Sequence, residues 1–222
     1  MGGFGDGLLN NIVQNSVFDQ ISTYIMLSCT QMKIDLQNDS RLIPNDENKI
    51  RNYLVDHYLD DNVWRRNNNM MMFRFDSETP ENYNDNLIKY EGRVDIKIMN
   101  QIDSFSDRSA AYFVECKRLD GKKHLNDEYV ENGIKRFVVA PPHYSSFYGK
   151  NFMLGFLVVA MDIEKNLQKI NEIQEKNKHI NNLNPMLPLE NNKIYDCAYM
   201  MEDNKIELRH IFADFSSNIV SS

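Results

Sequence analysis

The chain has 222 residues, a formal net charge of −7 and 26% charged residues. This length suits one domain with elaborations and a substantial core, whereas so negative a charge is unusual for a protein that binds nucleic acid unaided. The glycine-rich start lacks the apolar segment of a signal peptide, and three scattered cysteines fit a reducing cytoplasm, so we expect no secreted, disulfide-built or membrane-bound protein.

A long amphipathic helix is predicted near the N-terminus. Its apolar stripe at helical spacing consists of Val17, Phe18, Ile21, Tyr24, Ile25, Ser28, Met32 and Leu36. Packing on the core is the favoured use of this stripe, and a dimer surface is the alternative. The chain is therefore divided into an N-terminal helical extension, residues 1–43, and a domain over 44–222.

A second helix is predicted to start with Asn45 as its N-cap and to end near residue 60. Its apolar stripe consists of Ile50, Tyr53, Leu54 and Tyr58. Glu47 lies three residues before Ile50, on the same side of the helix. A carboxylate in the first turn also complements the positive end of the helix dipole.

Three short strands are predicted next, over 70–75, 90–99 and 111–119, because apolar and β-branched residues dominate them. Residues 76–86, with Pro80, are expected to form a polar loop. Side chains of a strand alternate between its faces. One face of the second strand carries Arg93, Asp95 and Lys97, and the other carries Val94, Ile96 and Ile98. One face of the third strand carries Phe113, Glu115 and Lys117.

If the second and third strands pair, Asp95 and Glu115 converge with Lys117 beside them. A buried polar group without partners costs about 2–7 kcal/mol, so a cation that compensates the two carboxylates is expected. Mg²⁺ or Mn²⁺ suits such oxygen ligands, with the carbonyl of Cys116 as a third donor and Lys117 acting on the attacking water. The alternative is a solvated Glu115–Lys117 ion pair worth ~0–1 kcal/mol, with Asp95 an ordinary surface charge.

A helix over 124–138 is predicted from apolar residues at helical spacing: Leu125, Tyr129, Val130, Gly133, Ile134 and Phe137. A glycine inside a helix costs roughly 1 kcal/mol, which indicates close approach to the sheet or to substrate. Arg136, Lys135 and the bordering Tyr129 are candidate contacts to nucleic acid, and the two cations are expected to contact its phosphates. The alternative is a core helix with ordinary surface cations.

An aromatic loop over 141–149 is expected to pack, and stacking on nucleic-acid bases is the alternative. A strand over 152–161 and a charged helix over 162–176 follow. A loop over 181–188 precedes a hairpin whose strands are 194–201 and 206–212. The histidines have no metal-ligand spacing and are expected at the surface or as caps: His57, His124, His143, His179 and His210.

Asp95 followed by Glu115, Cys116 and Lys117 resembles the PD-(D/E)XK nuclease superfamily, which has a restriction-endonuclease-like fold. Residues 115–119, 129–137 and 153–156 are similar to the "ECKRL" strand, the helix and the next strand of bacterial members. The resemblance covers roughly 47–160, with Val94 where the superfamily name has proline. It implies that Asp95 and Glu115 bind metal and that Lys117 is catalytic. It also implies a further acid from the first core helix, for which Glu47 is the candidate and Glu78 and Glu91 are weaker alternatives.

The expected fold is therefore α/β, a mixed central sheet flanked by helices, with an added N-terminal helix and C-terminal hairpin. The expected function is magnesium-dependent cleavage of DNA by an endonuclease. The resemblance further implies a nuclease effector of a multi-component bacterial defence system. A partner such as an ATPase or sensor subunit is expected, and a homo-oligomer is compatible with this role. The alternatives are a catalytically silent scaffold or nucleic-acid-binding subunit, and a nuclease directed at RNA.

Overall fold

The structure, a computed structural model, describes residues 4–84, 88–144, 146–189 and 193–220. The elements before the middle of the sheet are α1 (Phe4–Asn38), α2 (Glu47–Leu54), α3 (Asn62–Asn67), β1 (Phe73–Asn84), β2 (Lys89–Asn100), α4 (Gln101–Ser106) and β3 (Ala111–Leu119). Those that follow are α5 (Lys123–Tyr129), α6 (Lys135–Val138), β4 (Lys150–Leu157), α7 (Ile163–Lys176), β5 (Leu187–Pro188), β6 (Ile194–Met201) and β7 (Asn204–Asp214).

Within the described ranges the strands form one mixed sheet in the order β1-β2-β3-β4-β7-β6-β5. β1, β2 and β3 are antiparallel, β4 lies parallel to both β3 and β7, and β6 returns antiparallel to β7. Helices cover both faces. α1 and α2 pack in a first core cluster on one face, and α5, α6 and α7 pack in a second cluster on the other. The predicted fold class, a mixed sheet flanked by helices, is confirmed.

The predicted N-terminal helix is longer than its apolar stripe and runs over Phe4–Asn38. Apart from the half-buried Val17, every residue of the predicted stripe is buried. Phe18 packs on Tyr112 and Phe152 of the sheet. The helix therefore contributes to the core, as the favoured interpretation of the stripe required.

The second helix begins one residue later than predicted. Its N-cap is Asp46, whose Oδ1 accepts a hydrogen bond from the Lys49 amide at 3.0 Å. The helix continues past Leu54 as one wider π-helical turn, Val55–Leu59, which accounts for the predicted end near residue 60.

The predicted polar loop over 76–86 is wrong for most of its length, because β1 continues to Asn84; residues 85 and 86 lie outside the described residues. β1 is an edge strand, where Pro80 needs no partner for its missing amide hydrogen. Charged pairs across the strands replace apolar contacts, as in Lys97 Nζ to Glu81 Oε1 at 2.7 Å.

The predicted common face of Val94, Ile96 and Ile98 is also wrong. Ile96 and Ile98 pack in the first cluster, whereas Val94 packs in the second. In β1, Ser77 pairs with Ile96 and Thr79 pairs with Val94. Glu78 lies between these two pairs, opposite Asp95, and has a positive φ of 51°. The regular alternation of side chains in β2 is therefore broken at Asp95.

The C-terminal half follows the prediction closely. β4 ends at Leu157 rather than at 161, and Asp162 then caps α7 through the Lys165 amide. The predicted hairpin is β6–β7, with β7 two residues longer at each end. The hairpin is part of the central sheet, because β7 pairs with β4. None of the helices in the described ranges has the length and apolar character needed to cross a membrane.

Candidate active site

Lys117 is the centre of a buried charged cluster on the face of β3 that packs against α5. Its Nζ donates to Glu115 Oε1 at 2.8 Å, to the carbonyl oxygen of Cys116 at 2.8 Å and to Glu47 Oε1 at 3.1 Å. Glu115 is 0% exposed and Lys117 is 8% exposed. The alternative of a solvated surface pair is therefore wrong, and three predicted site residues meet at one point.

Glu47 reaches this point from the first turn of α2. Its second carboxylate oxygen accepts a hydrogen bond from the Arg118 amide at 3.0 Å. Arg118 Nη1 in turn donates to the backbone carbonyl and the side chain of Asn45, at 2.7 and 2.9 Å. These bonds fasten the start of α2 to β3, so Glu47 lies both at the positive end of a helix and in the charged cluster.

Glu115 has hydrogen-bond donors on both carboxylate oxygens. Oε1 also accepts from Arg136 Nη1 at 2.7 Å, and Oε2 lies 2.9 Å from the hydroxyl of the buried Tyr144. Burial and the neighbouring Asp95 raise the pKa of Glu115 to about 7, against the opposing effect of Lys117 and Arg136.

Lys117 is charged in this environment. Burial acts to lower the pKa of Lys117, but Glu115, Glu47 and Asp95 outweigh it and raise that pKa above its ordinary value. The Lys117 side chain therefore carries a positive charge and is not available as a base.

Asp95 lies where β2 parts from β3. Its Oδ2 accepts a hydrogen bond from the Cys116 amide at 2.8 Å, and its Oδ1 pairs with Arg51 of α2. Arg51 is 2% exposed and also pairs with Glu78. Both Asp95 oxygens are therefore engaged beside Glu115, and Glu78 is tied to the same guanidinium. The side chain of Glu91, the other weak alternative, lies outside the described residues.

Arg51 and Tyr144 are the site residues that the sequence did not reveal. Arg51 lies four residues after Glu47, so helical spacing was the available signal for placing it on the same face. Tyr144 belongs to the aromatic loop for which packing was the favoured prediction and stacking on bases the alternative. It does pack, on Phe113 and Phe137, but its hydroxyl also contacts Glu115.

The three residues predicted to contact nucleic acid have different surroundings in the structure. Tyr129 is fully buried with its hydroxyl 2.9 Å from His210 Nδ1, so its predicted contact with nucleic acid is wrong. Arg136 points inward to Glu115, with its side chain one-third exposed. Lys135 faces the other side of the helix and pairs with Glu131 at 2.7 Å.

Gly133 lies in a π-helical turn, Val130–Ile134, that joins α5 to α6 into one helical segment. It explains how this α5–α6 segment lies so close to Lys117. A Cβ at this position would lie 2.5 Å from Met153 Cε and 3.5 Å from Lys117 Cγ. The close approach that the glycine predicted is therefore made to the sheet, at the side chains of Met153 and Lys117.

His210 differs from its prediction as a surface or capping residue. It is fully buried on β7, between Tyr129 and Tyr199. Burial lowers the pKa of His210 to about 3, so the imidazole is neutral.

A cavity of about 390 Å³ opens beside the charged cluster. Its lining includes Glu47, Lys117 and Arg118, and α5 contributes His124 and Glu128. The cavity gives small groups from solvent a route to the Lys117 side of the cluster.

The predicted metal ligands are Asp95, Glu115, the Cys116 carbonyl and Glu47. No group of three His, Cys, Asp or Glu side chains in the described ranges is arranged to hold a metal ion as it stands. The oxygens of Glu47, Glu115 and Cys116 nevertheless converge on one cationic atom, the Lys117 ammonium. Carboxylate and carbonyl oxygens are the donors that Mg²⁺ and Mn²⁺ prefer. These three oxygens are therefore of the type that binds such an ion. The Lys117 ammonium occupies the position on which they converge.

Comparisons of the chain with protein-family models, with curated proteins and with solved structures found no match. The functional assignment therefore depends on the residues of the site and their geometry.

Proposed function

We propose that the protein is an endonuclease that hydrolyses phosphodiester bonds of DNA with the help of Mg²⁺ or Mn²⁺. One observation carries the proposal: Glu47, Glu115 and the Cys116 carbonyl converge on the Lys117 ammonium, next to Asp95 and beside an open cavity. Burying this many charges is costly, and their concentration at one opening favours a functional site.

The chain's own residues have distinct roles in this proposal. Asp95, Glu115 and the Cys116 carbonyl would hold the divalent cation, and Glu47 would join them. The bound cation would stabilise the negative charge that develops on the phosphate during hydrolysis. Lys117, released from the carboxylates, would turn its charge toward the same phosphate.

The neighbouring residues position these groups. Arg51 orients Asp95, while Arg136 and Tyr144 orient Glu115. The origin of each residue supports the proposed relation to PD-(D/E)XK nucleases, because α2 supplies Glu47, β2 supplies Asp95 and β3 supplies both Glu115 and Lys117.

Plasmid cleavage in Mg²⁺ or Mn²⁺ tests the proposal. Wild-type protein should nick or linearise the plasmid, and Lys117→Ala and Asp95→Ala should each lower the rate by about 10²–10³-fold through lost charge stabilisation. Lys205→Ala, at an exposed lysine of β7, is the matched control and should cleave normally. Cleavage that survives both site substitutions would overturn the mechanism.

The same experiment separates the alternatives. Binding of DNA without cleavage in either metal would favour the silent scaffold or binding subunit, and selective cleavage of labelled RNA would favour the RNA nuclease. The saturation of Asp95, Glu115 and Glu47 by protein donors is the observation that favours a silent site.

We also propose that the nuclease works as the effector of a bacterial defence system, with a partner such as an ATPase or sensor subunit. The net charge of −7 supports a partner, because it weakens the electrostatic attraction of this chain alone to DNA phosphates. Co-purification of the tagged chain with the products of its neighbouring genes tests for the partner. A tagged chain that copurifies with none of them would contradict this part of the proposal.

A further inference from the structure

A basic groove lies on the surface between the α5–α6 helical segment and the end of α7. It has a volume of about 560 Å³. The charged residues used in the argument are Lys123, Asp127, Glu131, Lys135, Lys176 and Lys178. The lining thus contains four lysines against two acids, in a chain whose net charge is −7.

Three of the four lysines of the groove have only weak ion pairs, or none, within the protein; the fourth, Lys135, is 27% exposed and pairs with Glu131 at 2.7 Å. Lys123 and Lys176 have side chains 85% and 78% exposed, and they pair with acids of their own helices. Such exposed pairs contribute about 0–1 kcal/mol and exchange readily for another anion. Lys178 is exposed and makes no ion pair in the described part of the chain. The groove can therefore offer its charge to a ligand.

The groove adjoins the cavity beside Lys117. The cavity is lined by His124 and Glu128 of α5, and the groove by Lys123 and Asp127, each one residue earlier on the same helix. Two adjacent sides of α5 therefore face the groove and the cavity. Lys169 Nζ of α7 donates to the Gly121 carbonyl at 3.0 Å, which holds α7 against the start of α5.

The length of the groove suits several consecutive phosphates. Lys123 and Lys135 lie twelve residues apart on a helical segment whose middle turn, Val130–Ile134, is π-helical. At a rise of at most about 1.5 Å per residue, they are separated by up to about 18 Å along it. Phosphates on one strand of B-DNA follow one another at about 3.4 Å along the axis, so this distance corresponds to roughly five nucleotides.

We propose that this basic groove binds the sugar–phosphate backbone of the DNA that flanks the bond cut at Lys117. The inference rests on the proposed nuclease function for the position of the cut, and it concerns a second, sequence-independent binding site. It explains how an acidic protein retains DNA, because the local lysines and not the net charge meet the phosphates.

The salt dependence of DNA binding tests this inference. Binding of a fluorescently labelled DNA duplex of about 30 base pairs, long enough to span both sites, is measured by anisotropy at several salt concentrations in EDTA. The logarithm of the association constant falls with the logarithm of salt concentration by about 0.9 for each phosphate contact. The Lys176→Gln/Lys178→Gln variant should therefore show a slope smaller than wild type by up to about 1.8, together with weaker binding at low salt.

Arg108→Gln/Lys205→Gln is the matched control, because it removes two exposed cations elsewhere and has the same net charge. Its slope should equal that of wild type. Equal slopes for the groove variant and the control would overturn the inference, as would a wild-type protein that does not bind the duplex at low salt.

The outcome also distinguishes this inference from the nuclease proposal. If wild type cleaves DNA and the groove variant has the wild-type salt slope, the inference about the groove is refuted and the nuclease proposal stands. Groove-dependent binding without cleavage in Mg²⁺ or Mn²⁺ would uphold the groove and refute the nuclease.

Discussion

Arg51 shows how a single side chain organises one half of the charged cluster. Its guanidinium is almost fully buried and contacts Asp95, Glu78 and the side chain of its neighbour Asn52. A buried cation with these partners holds Asp95 in place while α2 packs on β2 and β3. The stability of this region and the geometry of the proposed metal ligand are therefore coupled through one residue.

We predict that Arg51→Met destabilises the protein by about 3 kcal/mol, because it leaves Asp95 without its buried partner. Arg74→Met is the control, since Arg74 is 61% exposed and its pair with Asp76 lies at the surface. Chemical denaturation measures both free energies of unfolding. A double-mutant cycle with Asp95→Asn should show that part of the cost is shared between Arg51 and Asp95. Equal costs for the two methionine variants would contradict the prediction.

His210 should make folding sensitive to acid. Its pKa is about 3 in the folded protein, because burial opposes the charge, and near 6.5 in an unfolded chain. Between these values the unfolded chain binds a proton that the folded protein does not, so stability falls as the pH is lowered below about 6.5.

The expected loss from His210 between pH 7 and pH 5 is about 2 kcal/mol. The stability of wild type minus that of His210→Gln should fall by this amount, since other titrating groups cancel in the difference. Urea denaturation at the two pH values measures it, with the exposed His179→Gln as the control. A difference that does not change with pH would refute this account of His210.

At the scale of the elements, β4 is the strand on which both halves of the sheet depend. It lies parallel to β3 on one side and to β7 on the other, and every residue in it is buried. Gly155 lies between Lys117 of β3 and Phe212 of β7 in the strand register. A Cβ there would lie 2.7 Å from Phe212 Cδ1 and 3.0 Å from Leu119 Cδ1.

We predict that Gly155→Ala destabilises the protein by about 1–3 kcal/mol, because the ring of Phe212 has to move within a packed core. Gly92→Ala on β2 is the matched control, since its new Cβ would meet ordinary contacts of 3.6 Å or more. Thermal unfolding compares the two variants. The close packing at β4 would be contradicted if both had the melting temperature of wild type.

At the scale of the whole molecule, the two core clusters share one sheet. α1 belongs to the first cluster, and Trp64 Nε1 of α3 donates to Ser28 Oγ of α1 at 2.8 Å. The division at residue 43 therefore separates segments that pack together. Side chains of β3 and β4 enter both clusters, so loss of either cluster exposes the other face of the same strands.

We predict that the chain unfolds in a single cooperative transition. Fluorescence of Trp64, the only tryptophan, reports on the first cluster, and far-ultraviolet circular dichroism reports on all elements. The two denaturation curves should have the same midpoint. An earlier midpoint for Trp64 would mean that α1 and its neighbours unfold as a separate unit.

The accuracy of the sequence predictions varied with the range of the interactions involved. β3 begins and ends at the predicted residues, because its composition and alternation are local properties. The part of β1 beyond Phe75 was not predicted, because ion pairs with β2 stabilise it. Such pairs join residues far apart in the chain and leave no local sequence pattern. Tyr144 was placed correctly as a packing residue, but its contact with Glu115 depends on a loop 29 residues away.

The sequence by itself determined the fold class, the face of β3 that carries Glu115 and Lys117, and the close approach at Gly133, since these follow from side-chain periodicity and from the absence of a Cβ. Only the tertiary structure decided that Glu47 meets Lys117, that Arg51 holds Asp95, and that Tyr129 is buried. Each of these depends on which charged or polar groups face one another once helices and strands have packed. Buried charges are tolerated only with partners, and those partners come from distant parts of the chain.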